Sequence, residues 1–136
     1  MAQDLTLKRR LSQAQKELAI KIQRLEAYPA VFLPRPEGGF DVVFPNFPKL
    51  MAFGPTRKQA VAAAVEALSV ELGITLRQGF PPPMPSRPEN LIPDEDEPPG
   101  TFMLMLEPDR QAIAVQLGLA PTRPASKGPI FAKPKS

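Results

Sequence analysis

The sequence predicts an α+β fold: a small antiparallel β-β-β-α-β unit with an added N-terminal helix and a C-terminal strand and short helix. Three observations predict it. Two short apolar runs flank Glu37-Gly38-Gly39, an alanine-rich segment begins behind a capping signal at Thr56, and residues 4–26 repeat apolar side chains at helical spacing.

In residues 4–26, Leu7, Leu11, Ala14, Leu18, Ile22 and Leu25 draw one stripe along a helix, with Lys8, Arg9, Lys16, Lys21 and Arg24 mostly off it. Pro29 disfavours helical geometry at Tyr28 and ends that element. Strands are expected near 28–34 and 39–45. Phe40, Val42 and Phe44 alternate on one face, and the two glycines supply the positive-φ positions of a hairpin turn. Pro45 and Pro48 fix φ where the chain leaves the second strand, and Leu50-Met51-Ala52-Phe53 forms a third short one. Thr56 with Gln59 reads as a capping box. The hydroxyl takes the Gln59 N–H and the amide reaches back to the Thr56 N–H. The stripe Val61, Ala64, Val65, Leu68, Leu72 and Leu76 carries the helix past Gly73 to about Arg77, and Gly79 before a proline run stops it.

Residues 81–100 read as an extended proline-rich acidic linker. Thr101 to Leu106 is a strand apolar on both faces, hence expected to be covered on both. Asp109 to about Leu117 is a short helix, stopped by Gly118. The organisation is therefore an amphipathic helix (1–27), a core unit (28–80), the linker (81–100), a strand plus short helix (101–120) and a basic flexible tail (121–136).

Composition narrows the function. The chain has 136 residues and 19 prolines, nearly three times the ordinary share of about 5%. It has no cysteine and no histidine, so thiolate chemistry, disulfides and the commonest general base are all missing. Asp41, Glu37, Glu66 and Glu71 are the acids left in the core unit. Metal-assisted nuclease chemistry needs several acids converging on one site, and Asp41 and Glu66 point away from the apolar faces. The expectation is a non-enzyme with no cofactor and no metal. No apolar leader or continuous apolar span is read, which points to a cytoplasmic location without membrane contact. The net charge of +3 is uneven. Residues 1–26 carry six basic and three acidic side chains, whereas residues 80–100 carry one and five.

From Tyr28 to about Pro85 the chain resembles the HicB antitoxin family. The residues that carry the resemblance are Glu37-Gly38-Gly39-Phe40, Phe44-Pro45-Asn46-Phe47-Pro48, Gly54-Pro55-Thr56-Arg57-Lys58-Gln59-Ala60 and Glu66-Ala67-Leu68, closed by Gly79, Pro81 and Pro83. The resemblance implies a partial ribonuclease H-like fold without its catalytic centre, and binding and neutralisation of a small HicA-like mRNA-cleaving toxin. Asn46 replaces the family's usual acid, and Lys49 its small residue. The family's frequent C-terminal DNA-binding module is not matched, because one short helix and a proline-rich tail follow the linker.

Candidate partner-binding residues are Asn46, Phe47, Lys49, Met103 and Met105. Methionine also serves simply as adaptable core filling. Lys8, Arg9 and Arg10 are candidate nucleic-acid contacts, against the plainer reading of an exposed helix face. A homodimer or higher homo-oligomer is expected, with strand 101–106 crossing to a second protomer or completing a shared sheet. The alternative to the antitoxin is an orphan or phage-borne HicB-like regulatory protein that binds nucleic acid or another protein.

Overall fold

A computed structural model describes residues 2–91 and 96–119, with backbone alone for residues 2–8 and 11. The expected tail 121–136 and the acidic pair Asp94-Glu95 lie outside the described residues. The elements run α1 (Ala2–Gln23), β1 (Tyr28–Pro34), β2 (Phe40–Phe44), β3 (Phe47–Gly54), α2 (Arg57–Arg77), a single 3-10 turn (Pro88–Asn90), β4 (Phe102–Leu106) and α3 (Arg110–Gln116). The strands form one antiparallel sheet in the order β3-β2-β1-β4.

Alternation sorts the strand residues between two faces. Tyr28, Ala30, Phe32, Val42, Phe44, Phe47 and Leu106 bury one face. Against it α2 sets Ala60, Ala64, Leu68, Leu72 and Leu76, while α3 adds Ile113, α1 adds Ile22 and the segment after α1 adds Leu25. Aromatic rings knit this layer together. Phe32 stacks on Phe102 at 4.8 Å, and Tyr28 meets Phe47 edge-on at 5.0 Å. By length and hydropathy α2 resembles a membrane span. Its apolar stripe is instead occupied by the sheet.

Local rules hold at the helix ends. The Thr56 hydroxyl accepts the Gln59 N–H at 3.1 Å. It also donates to Gln59 Oε1 at 3.0 Å, so the glutamine closes the box on the hydroxyl and not, as expected, on the Thr56 N–H. Gly38 and Gly39 make the β1–β2 turn at φ 109° and 87°. Gly54 answers to close approach: a Cβ there would lie 2.1 Å from the Ala60 nitrogen. Gly73, a helix interior glycine that costs about 1 kcal/mol against alanine, lies where α3 crosses. A Cβ there would meet the Gln116 side chain at 2.5 Å.

Several expectations are corrected. Strand β3 starts at Phe47, so Pro48 lies inside it and not in the preceding turn. It is tolerated because β3 is an edge strand, where a missing N–H leaves no ladder bond broken on the open side. Strand β4 and helix α3 join the same sheet and core as the preceding elements. Strand β4 pairs with β1 of its own chain, from Tyr28↔Leu106 to Phe32↔Phe102, so it needs no second protomer to find a partner. Nor is β4 covered on both faces: Phe102, Leu104 and Leu106 turn to the core, but Met105 is 42% exposed. Among the described side chains of the α1 stripe, Ala14 is exposed and burial begins at Leu18.

Thr56→Ala removes one satisfied helix N–H and is expected to cost about 1 kcal/mol. Gly54→Ala forces backbone atoms apart and is expected to cost more, about 1–3 kcal/mol or above. Urea midpoints of the two variants check the order, and a reversed order removes the close-approach argument.

Candidate partner-binding surface

Among the described residues the second face of the sheet carries no member of the hydrophobic core cluster, although Pro29 at its β1 end is fully buried. Met51 of β3 pairs with Val43 of β2, Val43 with Val31 of β1, and Val31 with Met103 of β4. One apolar row thus crosses all four strands. Lys49 and Phe53 flank Met51 on β3, Leu33 lies two residues from Val31, and Met105 stands opposite Pro29. Met51 is 62% exposed and Phe53 45%, while Val31, Val43 and Met103 are half-buried between their neighbours. None of these side chains joins the core cluster, which all three helices line from the other face. At one corner the Arg35 guanidinium sits 5.0 Å over the Phe53 ring and pairs with Glu37 at 2.6 Å. Asp41 stands 3.8 Å from the same guanidinium.

The structure separates the five predicted partner residues. Lys49, Met103 and Met105 share this outer face, although β3 and β4 are its opposite edges. Phe47 belongs to the core, 7% exposed between Tyr28 and Phe44. Asn46 is engaged within the chain. Its Nδ2 donates to the Met84 carbonyl and to Ser86 Oγ, each at 3.1 Å, and its Oδ1 accepts the Ser86 N–H at 3.0 Å. These bonds also correct the reading of 81–100 as an unpacked linker. The Tyr28 hydroxyl adds another, donating to the Pro83 carbonyl at 2.5 Å, so residues 83–86 are held against the sheet end. Beside Asn46 an open cleft of about 310 Å³ runs past Pro48, Lys49 and Leu50 to Glu71.

Sequence reading missed Val31, Val43, Met51 and Phe53 as surface residues. The signal was present in the alternation of each strand, but which face the helices cover is a tertiary choice. Of the predicted basic residues, Arg9 and Arg10 are exposed on α1, whereas the Lys8 side chain lies outside the described residues. Among the described residues no group of three or more acids, histidines or cysteines is placed to hold a metal ion. Glu66 is exposed on α2, away from Asp41.

No protein-family model and no curated protein matches the chain. Solved structures do. A chain of the HicA3 and HicB3 toxin–antitoxin complex is 30% identical, with a TM-score of 0.50 over 61% of this chain and 98% of that one. A crystal structure of the antitoxin HicB3 is 27% identical, with a TM-score of 0.52 over 71% of this chain and 70% of that one. The HicB3 match identifies the antitoxin as the component of the complex that this chain resembles. The chain belongs to the HicB antitoxin family. A toxin–antitoxin complex from Streptococcus pneumoniae, 22% identical, shares the fold with a TM-score of 0.55 over 74% of this chain and 77% of that one.

Burial raises the Tyr28 phenol above its ordinary pKa of 10.0, with the nearby Glu26 charge adding to the shift. A raised folded-state value leaves stability intact below the unfolded pKa and removes it as pH climbs from about 10 through the folded value. The urea midpoint is therefore expected to fall as pH rises above about 10. Tyr28→Phe is expected to lose about 1 kcal/mol at neutral pH, with the Pro83 bond, but to show a shallower alkaline decline. An equal decline in both proteins would assign it to other groups.

Proposed function

We propose that this HicB-family protein is an antitoxin that binds a small HicA-like mRNA-cleaving toxin and neutralises it by protein contact. The observation that carries the reading is the apolar row Met51-Val43-Val31-Met103, a sheet face that none of the described helices covers, in a chain whose relatives occur in toxin–antitoxin complexes. Uncovered apolar surface of this kind marks interaction sites. Met51 and Met103 in the row, with Met105 beside it, allow repacking around a partner. Lys49 at the rim offers a charge. Asn46 and Phe47 serve the site indirectly, by fixing the β2–β3 turn from which Lys49 and Met51 extend.

The antitoxin works without catalysis of its own, in the cytoplasm where a toxin acting on mRNA would have to be restrained. It assembles as a homodimer or larger oligomer. Strand β4 supports this, because its outer edge is open and segment 102–106 has neither proline nor charge to discourage strand addition.

Co-expression with the HicA-like protein encoded beside it is expected to yield a stable complex. The double variant Met51→Glu, Met103→Glu is expected to weaken that complex at least about ten-fold, since two charges would be buried unpaired. Unchanged affinity would move the contact to another surface, and no complex with the wild-type chain would remove the antitoxin reading. The purified chain with magnesium is expected to leave RNA intact. Cleavage abolished by Asp41→Asn or Glu66→Gln would make it an enzyme.

A further inference from the structure

Asp41 and Lys49 are the only charged residues within the four strands, and alternation turns both onto the outer face of the sheet. Asp41 pairs with Leu33 of β1 and with Phe53 of β3, so its carboxylate rises from a central strand between two apolar side chains. Lys49 lies four residues from Phe53 on β3, at the opposite end of the face and about 13 Å along the strand from Asp41. The apolar row Met51-Val43-Val31-Met103 runs between them.

Asp41 is weakly compensated. Its one ion contact among the described residues is the Arg35 guanidinium at 3.8 Å, which is beyond hydrogen-bond reach. Arg35 is engaged elsewhere, paired with Glu37 at 2.6 Å and lying over the Phe53 ring. The Asp41 side chain is 35% exposed, so water serves the carboxylate while the face is open. Covering the face removes that water from a group that can only accept, and whatever covers it must then donate. Lys49 has no ion pair among the described residues.

We infer that Asp41 and Lys49 form a charge axis that orients the toxin on the sheet. A cationic side chain of the toxin docks on Asp41, and a toxin carboxylate about 13 Å away docks on Lys49. This inference rests on the toxin reading and adds the direction of the contact. An apolar row alone discriminates poorly between a partner and the same partner turned end for end. With the axis, the turned partner sets cation against Lys49 and carboxylate against Asp41, and like charges disfavour that direction. Arginine suits Asp41 better than lysine, because its planar fork can hold both carboxylate oxygens.

The test is binding of the full chain to the HicA-like protein encoded beside it, with rates read by surface plasmon resonance at about 50 and 200 mM salt. Asp41→Asn keeps the shape and removes the charge, and is expected to speed dissociation about ten-fold or more. Lys49→Gln, on an edge strand, is expected to slow association about three-fold at the lower salt and less at the higher. Asp41→Lys with Lys49→Asp keeps the net charge but reverses the axis, and is expected to weaken binding more than about thirty-fold. Glu66→Gln removes a charge from α2 on the other side of the sheet, and is expected to change either rate less than about two-fold. Urea midpoints separate lost binding from lost fold, and Asp41→Asn decides alone if the exchanged variant does not fold. Unchanged dissociation in Asp41→Asn, or wild-type affinity in the exchanged variant, would overturn the axis. If Met51→Glu, Met103→Glu still weakens the complex in that case, the surface stands and only its direction is lost. No complex with the wild-type chain removes both.

Discussion

The close approach of α2 to the end of β3 is the constraint on which the rest of the structure depends. Gly54 lets the first turn of α2 sit against the strand, with a Cβ position only 2.1 Å from the Ala60 nitrogen. Ala60 and Ala64, both fully buried, keep the next turn equally near. Small residues at the crossing let the larger ones beyond it, Leu68, Leu72 and Leu76, join one buried cluster with Phe32, Val42 and Phe44. The cap at Thr56 fixes where the helix begins, and so fixes which of its faces meets the sheet.

From that placement the far end of the fold follows. Ser69, 4% exposed within the buried stripe, donates to the Val65 carbonyl at 2.7 Å and accepts the Asp109 N–H at 2.8 Å. Asp109 in turn caps α3 by accepting the Ala112 N–H at 3.0 Å. Gly73 opens the space that Gln116 fills, and Arg77 donates to the Gln116 carbonyl at 2.6 Å. These contacts hold α3 against α2 and bring β4 alongside β1. Arg110 then ties α3 to the end of α1 through the Leu25 carbonyl at 2.5 Å. Three helices accordingly occupy one face, and the opposite face of the sheet is left to its own apolar row. The surface proposed for toxin contact is thus a consequence of how the core is built.

Much of this was legible locally. The hairpin at Gly38-Gly39, the extent of α2 from its Thr56 cap to Gly79, and the short α3 behind Asp109 all follow from backbone rules acting within a few residues, and those rules do not depend on the rest of the chain. The family resemblance was legible too, because its motifs are these same turns and caps. What the sequence could not decide was which groups meet across long separations. Phe47 looked like a turn residue open to a partner, and it is core because Tyr28 and Phe44 enclose it. Asn46 looked free, and it is spent on Met84 and Ser86, 38 and 40 residues away. Pro48 entered a strand because the sheet order placed β3 at an edge. The sequence by itself determined α2, α3 and the β1–β2 hairpin turn with their ends, since hydrogen bonds between near neighbours set them. Tertiary structure alone decided the strand order and the face left bare, since both depend on the whole set of apolar side chains competing for one core.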